Sequence, residues 1–239
     1  MKTIAVIPAR LGSTRLPRKM LREIAGEPLI ARIYEGVRSC RLLGDVIVAT
    51  DSDEILQLCQ ARGFHARLTS AGCRNGTERV HEISKSVVAD IYINVQGDEL
   101  LARAEHIVAL LAVMQNSETQ VGTLKTPATV EDIGNPNAVK VVTDKNGRAL
   151  YFSRATIPYD RDGVKPEYFK HLGFYAYRKS TLEGYCALPE SPLEQSERLE
   201  QLRFLENGIP ILVAETPYDT IRVDAEEDVL RAEEILRRR

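Results

Sequence analysis

Near the start of the chain, Thr3–Ile7 (TIAVI) runs straight into Pro8–Leu21 (PARLGSTRLPRKML). An apolar, partly β-branched run without polar alternation predicts a strand buried on both faces, as in a parallel sheet covered by helices. The segment behind it is unusual, because Arg10, Arg15, Arg18 and Lys19 crowd into one loop. Like charges at that density repel unless an anion sits among them. In an open α/β sheet, ligands bind beyond the carboxyl ends of the strands, and Ile7 is such an end. Gly12 allows close backbone approach, Ser13 and Thr14 bring hydroxyls, and Arg10, Arg15 and Lys19 offer charge-assisted hydrogen bonds to phosphate. The loop is neither a Walker A sequence nor G-x-G-x-x-G, so those phosphate-binding modes are not supported. A solvated surface loop is the plainer alternative; the position behind a buried first strand favours phosphate.

Outward from this loop, strand and helix signals alternate. Pro28–Cys40 reads as a helix with Leu29, Ile33, Tyr34 and Val37 on one side. Asp45–Thr50 is a second buried strand, and Asp51 or Ser52 is placed to cap a helix over Asp53–Arg62 that stops at Gly63. Thr77–Val87 is helical with a capping-box-like start, Asp90–Val95 is a third strand, and Ala104–Asn116 a further helix. Later the pattern changes. Val139–Thr143 and Ala149–Arg154 flank Asp144-Lys145-Asn146-Gly147, a strong hairpin signal. Phe169–Arg178 predicts a strand and Glu197–Asn207 a helix. Strands at Pro210–Ala214 and Thr220–Val223 and an amphipathic helix at Glu226–Arg239 follow. No repeat, low-complexity tract or linker interrupts the order. The expectation is one α/β domain over residues 1–239, three-layered around a mainly parallel sheet, with an antiparallel insertion near residues 137–180.

Composition narrows the partners. The 239 residues are 44% hydrophobic and 28% charged, with a formal net charge of −2, so no overall basic field collects nucleic acid. Cys40, Cys59, Cys73 and Cys186 form neither a C-x-x-C pair nor a metal-binding spacing, which suits a reducing compartment. The first apolar run is short and ends at Pro8, unlike a signal peptide, and no stretch approaches the ~20 apolar residues of a membrane span. A cytoplasmic location without membrane insertion is expected.

Acids complement the basic loop. Val95–Glu99 (VQGDE) closes the third strand, and a carboxylate at a strand end beside Gly97 suits a divalent cation, although Gly-Asp is also common turn chemistry. Ile221–Asp228 (IRVDAEED) sets Asp224 behind another short strand. Two carboxylates from separate strand ends could share one Mg²⁺ on a nucleotide's phosphates. For Asp224 the competing role is capping the last helix, and Glu226, Glu227 and Asp228 read as first-turn acids favoured by the helix dipole.

Together these pieces resemble the 3-deoxy-manno-octulosonate cytidylyltransferase (CMP-Kdo synthetase) family. The motifs are IPAR-x-x-STRLP-x-K (Ile7–Lys19), VATD (Val48–Asp51), GTER (Gly76–Arg79), NVQGDE (Asn94–Glu99) and NPNAVKVV (Asn135–Val142). ALYFSRATIP (Ala149–Pro158), HLG-x-Y-x-YR (His171–Arg178), SPLE-x-x-E-x-LEQLR (Ser191–Arg203) and VD-x-x-ED (Val223–Asp228) continue the series. Nine motifs in family order span essentially the whole chain.

The resemblance implies a nucleotide-diphospho-sugar-transferase-like, Rossmann-like fold and a reaction. CTP and a 3-deoxy-2-ulosonic acid give the CMP-sugar acid and pyrophosphate, with Mg²⁺ required, in supply of lipopolysaccharide or capsule precursor. Arg10, Ser13, Arg15 and Lys19 would hold the triphosphate. Lys19, Asp98 and Asp224 would be the catalytic set, with Asp98 and Asp224 on Mg²⁺. Arg79 matches a cytosine-side residue, and Gln96, Arg154, His171, Tyr175, Glu200 and Gln201 match positions for the sugar acid. A carboxylate-bearing polyol needs an Arg or His for its charge and amide or carboxylate groups for its hydroxyls, and this set has both. Tyr177 shares a side with Tyr175 and equally suits the core. The inserted hairpin region implies a homodimer.

The chain departs from that pattern at several points. Arg18 and Met20 replace the usual Gly and Pro, Leu100 the proline after GDE, and Gln195 a common His. Arg222 stands where a glycine precedes the acidic motif, placed to pair with Asp224 or with substrate. These departures leave room for a related acceptor such as an amino-modified Kdo or a nonulosonate. A catalytically silent nucleotide sensor would have lost Lys19, Asp98 or Asp224, and all three are present.

Overall fold

The computed structural model describes residues 1–13 and 15–238; Thr14 and Arg239 lie outside the described residues. The chain begins with β1 (Thr3–Ala9), a 3₁₀ turn at Lys19–Leu21 and a small hairpin of β2 (Glu23–Ile24) and β3 (Glu27–Pro28), followed by α1 (Leu29–Arg38). Next come β4 (Asp45–Thr50), α2 (Asp53–Ala61), β5 (Ala66–Leu68), α3 (Gly76–Ser84), β6 (Ile91–Val95), β7 (Glu99–Leu100) and α4 (Ala104–Val113). The middle of the chain holds β8 (Val121–Pro127), α5 (Val130–Gly134), β9 (Lys140–Thr143), β10 (Ala149–Ser153) and β11 (Phe169–Arg178). It continues with α6 (Lys179–Tyr185), α7 (Pro192–Glu197), α8 (Leu202–Glu206) and β12 (Ile211–Glu215), and closes with β13 (Ile221–Arg222) and α9 (Glu226–Arg237). The fold class is the expected α/β one, a mainly parallel sheet with antiparallel portions and helices around it. None of the described helices is long and apolar enough to cross a membrane.

Two compact units share these elements: Met1–Val108 with Thr220–Arg239, and Ala109–Asp219. In the first, β1 pairs in parallel with both β4 and β6, and β4 with β5. Ile4, Ala5, Val6 and Ile7 are wholly buried, as an apolar strand covered on both faces requires. Helix α1 turns Leu29, Ile30, Ile33, Tyr34 and Val37 inward. Ser52 caps α2 by accepting from Ile55 N, and Asn75, one residue ahead of the Gly-Thr-Glu-Arg run, caps α3 through Glu78 N. The cap of α3 is therefore an asparagine and not the Thr77 that the local pattern suggested.

In the second unit β8 pairs antiparallel with β11 and parallel with β12. The expected hairpin joins β9 to β10, with Gly147 at φ +78° and Asp144 Oδ1 accepting from Asn146 N and Arg148 N. β11 has the bounds read from sequence, Phe169–Arg178. The helix expected over Glu197–Asn207 is instead two short helices, because Arg198 adopts a left-handed conformation between them. Ser191 and Pro192 start α7 early, and a buried two-point ion pair of Arg203 with Glu194, at 2.6 Å for each contact, ties α7 to α8. The strand β8 escaped sequence reading because Gly122 and Lys125 dilute its apolar pattern. Gly122 packs closely there, since a Cβ would come within 3.0 Å of the Val113 side chain and 3.1 Å of the Met114 sulfur.

Gly36 shows how closely α1 approaches the segment after β7. A Cβ on Gly36 would stand 2.0 Å from the Ala102 carbonyl oxygen, which is backbone and cannot step aside. Gly36→Ala should therefore cost about 2 kcal/mol or more, read as a lower thermal midpoint against the native chain.

Candidate active site

The basic loop behind β1 and both predicted acids meet in the first unit. Lys19 opens the 3₁₀ turn, and Arg18 before it sits in the left-handed region at φ 56° while its guanidinium pairs with Glu54. That turn directs Lys19 Nζ to 3.2 Å from Asp98 Oδ2 and 2.9 Å from Asp224 Oδ1. Arg15 reaches Asp224 Oδ2 at 2.9 Å from the same loop. Arg10 is exposed, and Ser13 Oγ accepts from Leu16 N at 3.4 Å, closing the loop on itself.

The two aspartates are neighbours because β7 and β13 form an antiparallel pair, with Ile221 opposite Leu100 and Arg222 opposite Glu99. Val223 N donates to the Asp98 carbonyl at 3.0 Å, locking the register. Gly97 lets the segment fold in, since a Cβ would stand 2.6 Å from the Pro8 carbonyl oxygen. Asp224 is not the cap of α9. The cap position is Ala225, Asp228 Oδ2 accepts from both Asp224 N and Ala225 N at 2.8 Å, and the Asp224 side chain lies in the ion cluster.

Arg222 completes the cluster, its Nε 3.3 Å from Asp98 Oδ2 and 3.2 Å from Asp224 Oδ2. Sequence placed Arg222 within reach of Asp224; that it bridges both acids depends on the strand pairing. Buried Glu99, which the residue pattern did not single out, accepts from the Thr220 hydroxyl beside it. Burial works to raise the Asp98 pKa, but Arg222 and then Lys19 more than offset it and hold the carboxyl at about 2. The Arg222 guanidinium is pushed up in turn, chiefly by Asp98.

Asp98 Oδ1 is buried without a hydrogen-bond partner, a vacant acceptor position. Among the described residues no group of three or more His, Cys, Asp and Glu side chains gathers as a metal cage. Two carboxylates with one unsatisfied oxygen nevertheless fit Mg²⁺, which keeps several waters and takes few protein ligands beside substrate phosphates.

Arg79 belongs to the same unit. It is buried, and its guanidinium donates to the Thr69 hydroxyl and, at 2.9 Å, to Asp51 Oδ2. Asp51 serves Arg79 while Ser52 does the capping. Gln96 is half-buried, its carbonyl accepting from Glu99 N in the turn that carries Asp98.

The remaining predicted residues lie in the second unit. His171 and Tyr175 are neighbours on β11, with ring centroids 5.3 Å apart, and Tyr175 stacks on Tyr177 at 6.0 Å. Thr123 Oγ1 donates to the Phe174 carbonyl at 2.7 Å and so accepts from His171 Nε2 at 2.9 Å, which places a proton on that nitrogen. Arg154 Nε donates to the Glu197 carbonyl and its Nη1 to the Pro136 carbonyl. Gln201 is buried at the start of α8 and its Nε2 has no partner, while Glu200 beside it is half-buried.

An α/β fold with a basic loop behind the first strand and an acidic pair across it has the build of a nucleotidyltransferase. A family model described as Cytidylyltransferase matches residues 4–215, and the chain belongs to that family. It is 64% identical over 240 residues to 3-deoxy-manno-octulosonate cytidylyltransferase of Koribacter versatilis, covering 100% of this chain and 92% of the relative. The protein of the same name from Acidobacterium capsulatum is 53% identical over 237 residues, covering 99% and 97%. Among solved structures, CMP:2-keto-3-deoxy-manno-octonic acid synthetase complexed with CTP matches with a TM-score of 0.94 at 40% identity, covering 100% of this chain and 99% of that one. A 4-diphosphocytidyl-2C-methyl-D-erythritol synthase from Anaerococcus prevotii (TM-score 0.67, 16% identity, covering 99% and 98%) shares the fold alone.

Because the folded pKa of Asp98 is depressed, its ionisation contributes stability above the ordinary value of 3.8, lost as pH falls through about 2. The difference in thermal midpoint between native chain and Asp98→Asn should therefore shrink between pH 4 and pH 2. A difference constant over that range would mean that the ion cluster does not depress Asp98.

Proposed function

We propose that this chain transfers the cytidylyl group of CTP to the anomeric hydroxyl of 3-deoxy-manno-octulosonate and releases pyrophosphate. The observation that carries this is the convergence of Lys19, Asp98 and Asp224 in a chain 64% identical to a cytidylyltransferase of that name. The anomeric oxygen bonds to the α-phosphorus as the bond to the bridging oxygen of the departing pyrophosphate breaks, and the hydroxyl proton passes to solvent.

Such a transfer depends on positioning and on charge placed where it develops. Lys19 and Arg15 would turn from their carboxylates to the triphosphate and steady the leaving pyrophosphate, with Arg10 and Ser13 holding its outer oxygens. Asp98 and Asp224 would hold Mg²⁺, which when bound lowers repulsion between phosphate and the sugar's carboxylate. Asp98 suits this because its ionised form persists far below neutral pH. Arg79, held rigid by Asp51, would serve the cytosine side. Gln96, Arg154, His171, Tyr175, Glu200 and Gln201 would recognise the sugar acid, His171 as an Nε2–H tautomer anchored on Thr123.

The same reading includes a cytoplasmic enzyme supplying lipopolysaccharide or capsule precursor. It also includes a homodimer formed through residues 137–180, where Leu150, Tyr159 and Val164 are exposed. Light scattering after size exclusion should give twice the chain mass of 26.7 kDa; a monomer would remove the dimer from the reading.

Purified chain with CTP, Mg²⁺ and Kdo should release pyrophosphate, and amino-modified Kdo or nonulosonates should turn over far more slowly. Asp98→Asn and Asp224→Asn should each lower kcat by roughly a hundredfold or more while still melting cooperatively. Turnover near native would refute the metal assignment, and preference for another sugar acid would replace the acceptor.

A further inference from the structure

Three of the four carboxylate oxygens of Asp98 and Asp224 are held by side-chain cations. Asp98 Oδ2 meets Lys19 and Arg222, Asp224 Oδ1 meets Lys19, and Asp224 Oδ2 meets Arg15 and Arg222. These cations differ in how they are held. Lys19 and Arg15 come from the loop that serves phosphate in the reading above, and a triphosphate would draw them away. Arg222 is fixed in β13, two residues before Asp224 and across the strand pair from Glu99. It bridges both acids through Nε alone, and neither of its Nη atoms donates a hydrogen bond within the described residues. Its side chain is half-buried.

We propose that Arg222 is the resident counter-ion of the Asp98–Asp224 pair, so that the free chain binds a divalent cation weakly and takes it up together with the nucleotide. This rests on the metal reading of the two aspartates. The pair stays assembled without metal, because Arg222 and Lys19 bridge the two carboxylates and oppose their repulsion. A divalent ion arriving alone at the vacant Asp98 Oδ1 must draw Asp224 Oδ1 from Lys19 and settle within a few ångströms of the Arg222 guanidinium, which stays on the other oxygen of each acid. An ion arriving with a triphosphate meets carboxylates already released by Lys19 and Arg15. In that complex Arg222 would lie beside the phosphates with its Nη atoms available to them.

The test is Mn²⁺ titration of the full chain, followed by the electron paramagnetic resonance signal of free aqueous Mn²⁺, with and without CTP and with no sugar acid. Native chain alone should bind weakly. Arg222→Gln alone should bind about tenfold more tightly or better, since a full positive charge has left the ion's neighbourhood. Arg222→Lys, which keeps a cation, should stay as weak as native and serves as the folded control by circular dichroism. With CTP present the gap between native and Arg222→Gln should narrow. Equal affinity of native and Arg222→Gln without nucleotide would overturn the proposal. If in that case Asp98→Asn still weakens Mn²⁺ binding with CTP, the metal reading survives and only the counter-ion role falls. If the double variant Asp98→Asn with Arg222→Gln binds Mn²⁺ as tightly as Arg222→Gln, both fall together.

Discussion

Two carboxylates forced together must be neutralised, and the charged part of the first unit is arranged around that constraint. Asp98 and Asp224 are 79 and 205 residues from Lys19 along the chain, yet one ammonium lies within 3.2 Å of both. Buried like charges are tolerated only when opposite charges accompany them at hydrogen-bond distance. The cations come from two directions: Arg15 and Lys19 from the loop behind β1, and Arg222 from the strand that carries Asp224. The short β7–β13 pair is the mechanical element that makes this possible, for it joins the two acidic segments by backbone hydrogen bonds. Without it the acids would be surface groups on separate turns.

The same arrangement explains why residues with no chemistry of their own matter. Gly97 lets the Asp98 turn lie against Pro8, and Asp228 holds the backbone of Asp224 and Ala225 just ahead of α9. Thr220 satisfies buried Glu99 beside Arg222. Each frees or fixes a charged group at the site. A basic loop whose partners are internal carboxylates is also poised for exchange. In the function proposed above, a polyphosphate would replace one set of anions with another, and the loop would not need to be rebuilt.

In the second unit polar groups serve geometry first. Lys140 is wholly buried and its ammonium donates to the carbonyls of Asn135, Ala138 and Arg154. It ties the start of β9 to the end of β10, where Arg154 begins its own contacts with Glu197. Thr123 fixes the His171 tautomer, and the Arg203–Glu194 pair holds the segment bearing Glu200 and Gln201. Residues proposed for a polar ligand are thus pre-set by bonds to backbone and neighbours, which reduces the ordering cost of binding.

The sequence by itself determined the alternation of elements, the buried first strand and the basic loop behind it. It also marked Asp98 and Asp224 as strand-end acids and the Asp144–Gly147 turn as a hairpin. These are properties of short windows, in which side-chain periodicity and turn chemistry act within a few residues. Tertiary structure decided what such windows cannot contain. That Arg222 bridges both acids follows from β13 pairing with β7 across more than a hundred residues of chain, and that Arg79 is buried on Asp51 follows from a helix packing beside a distant strand end. The break at Arg198 and the strand at Val121–Pro127 likewise depend on neighbours remote in sequence. Charge compensation and close packing are satisfied by whichever groups arrive in space, and only the folded chain says which those are.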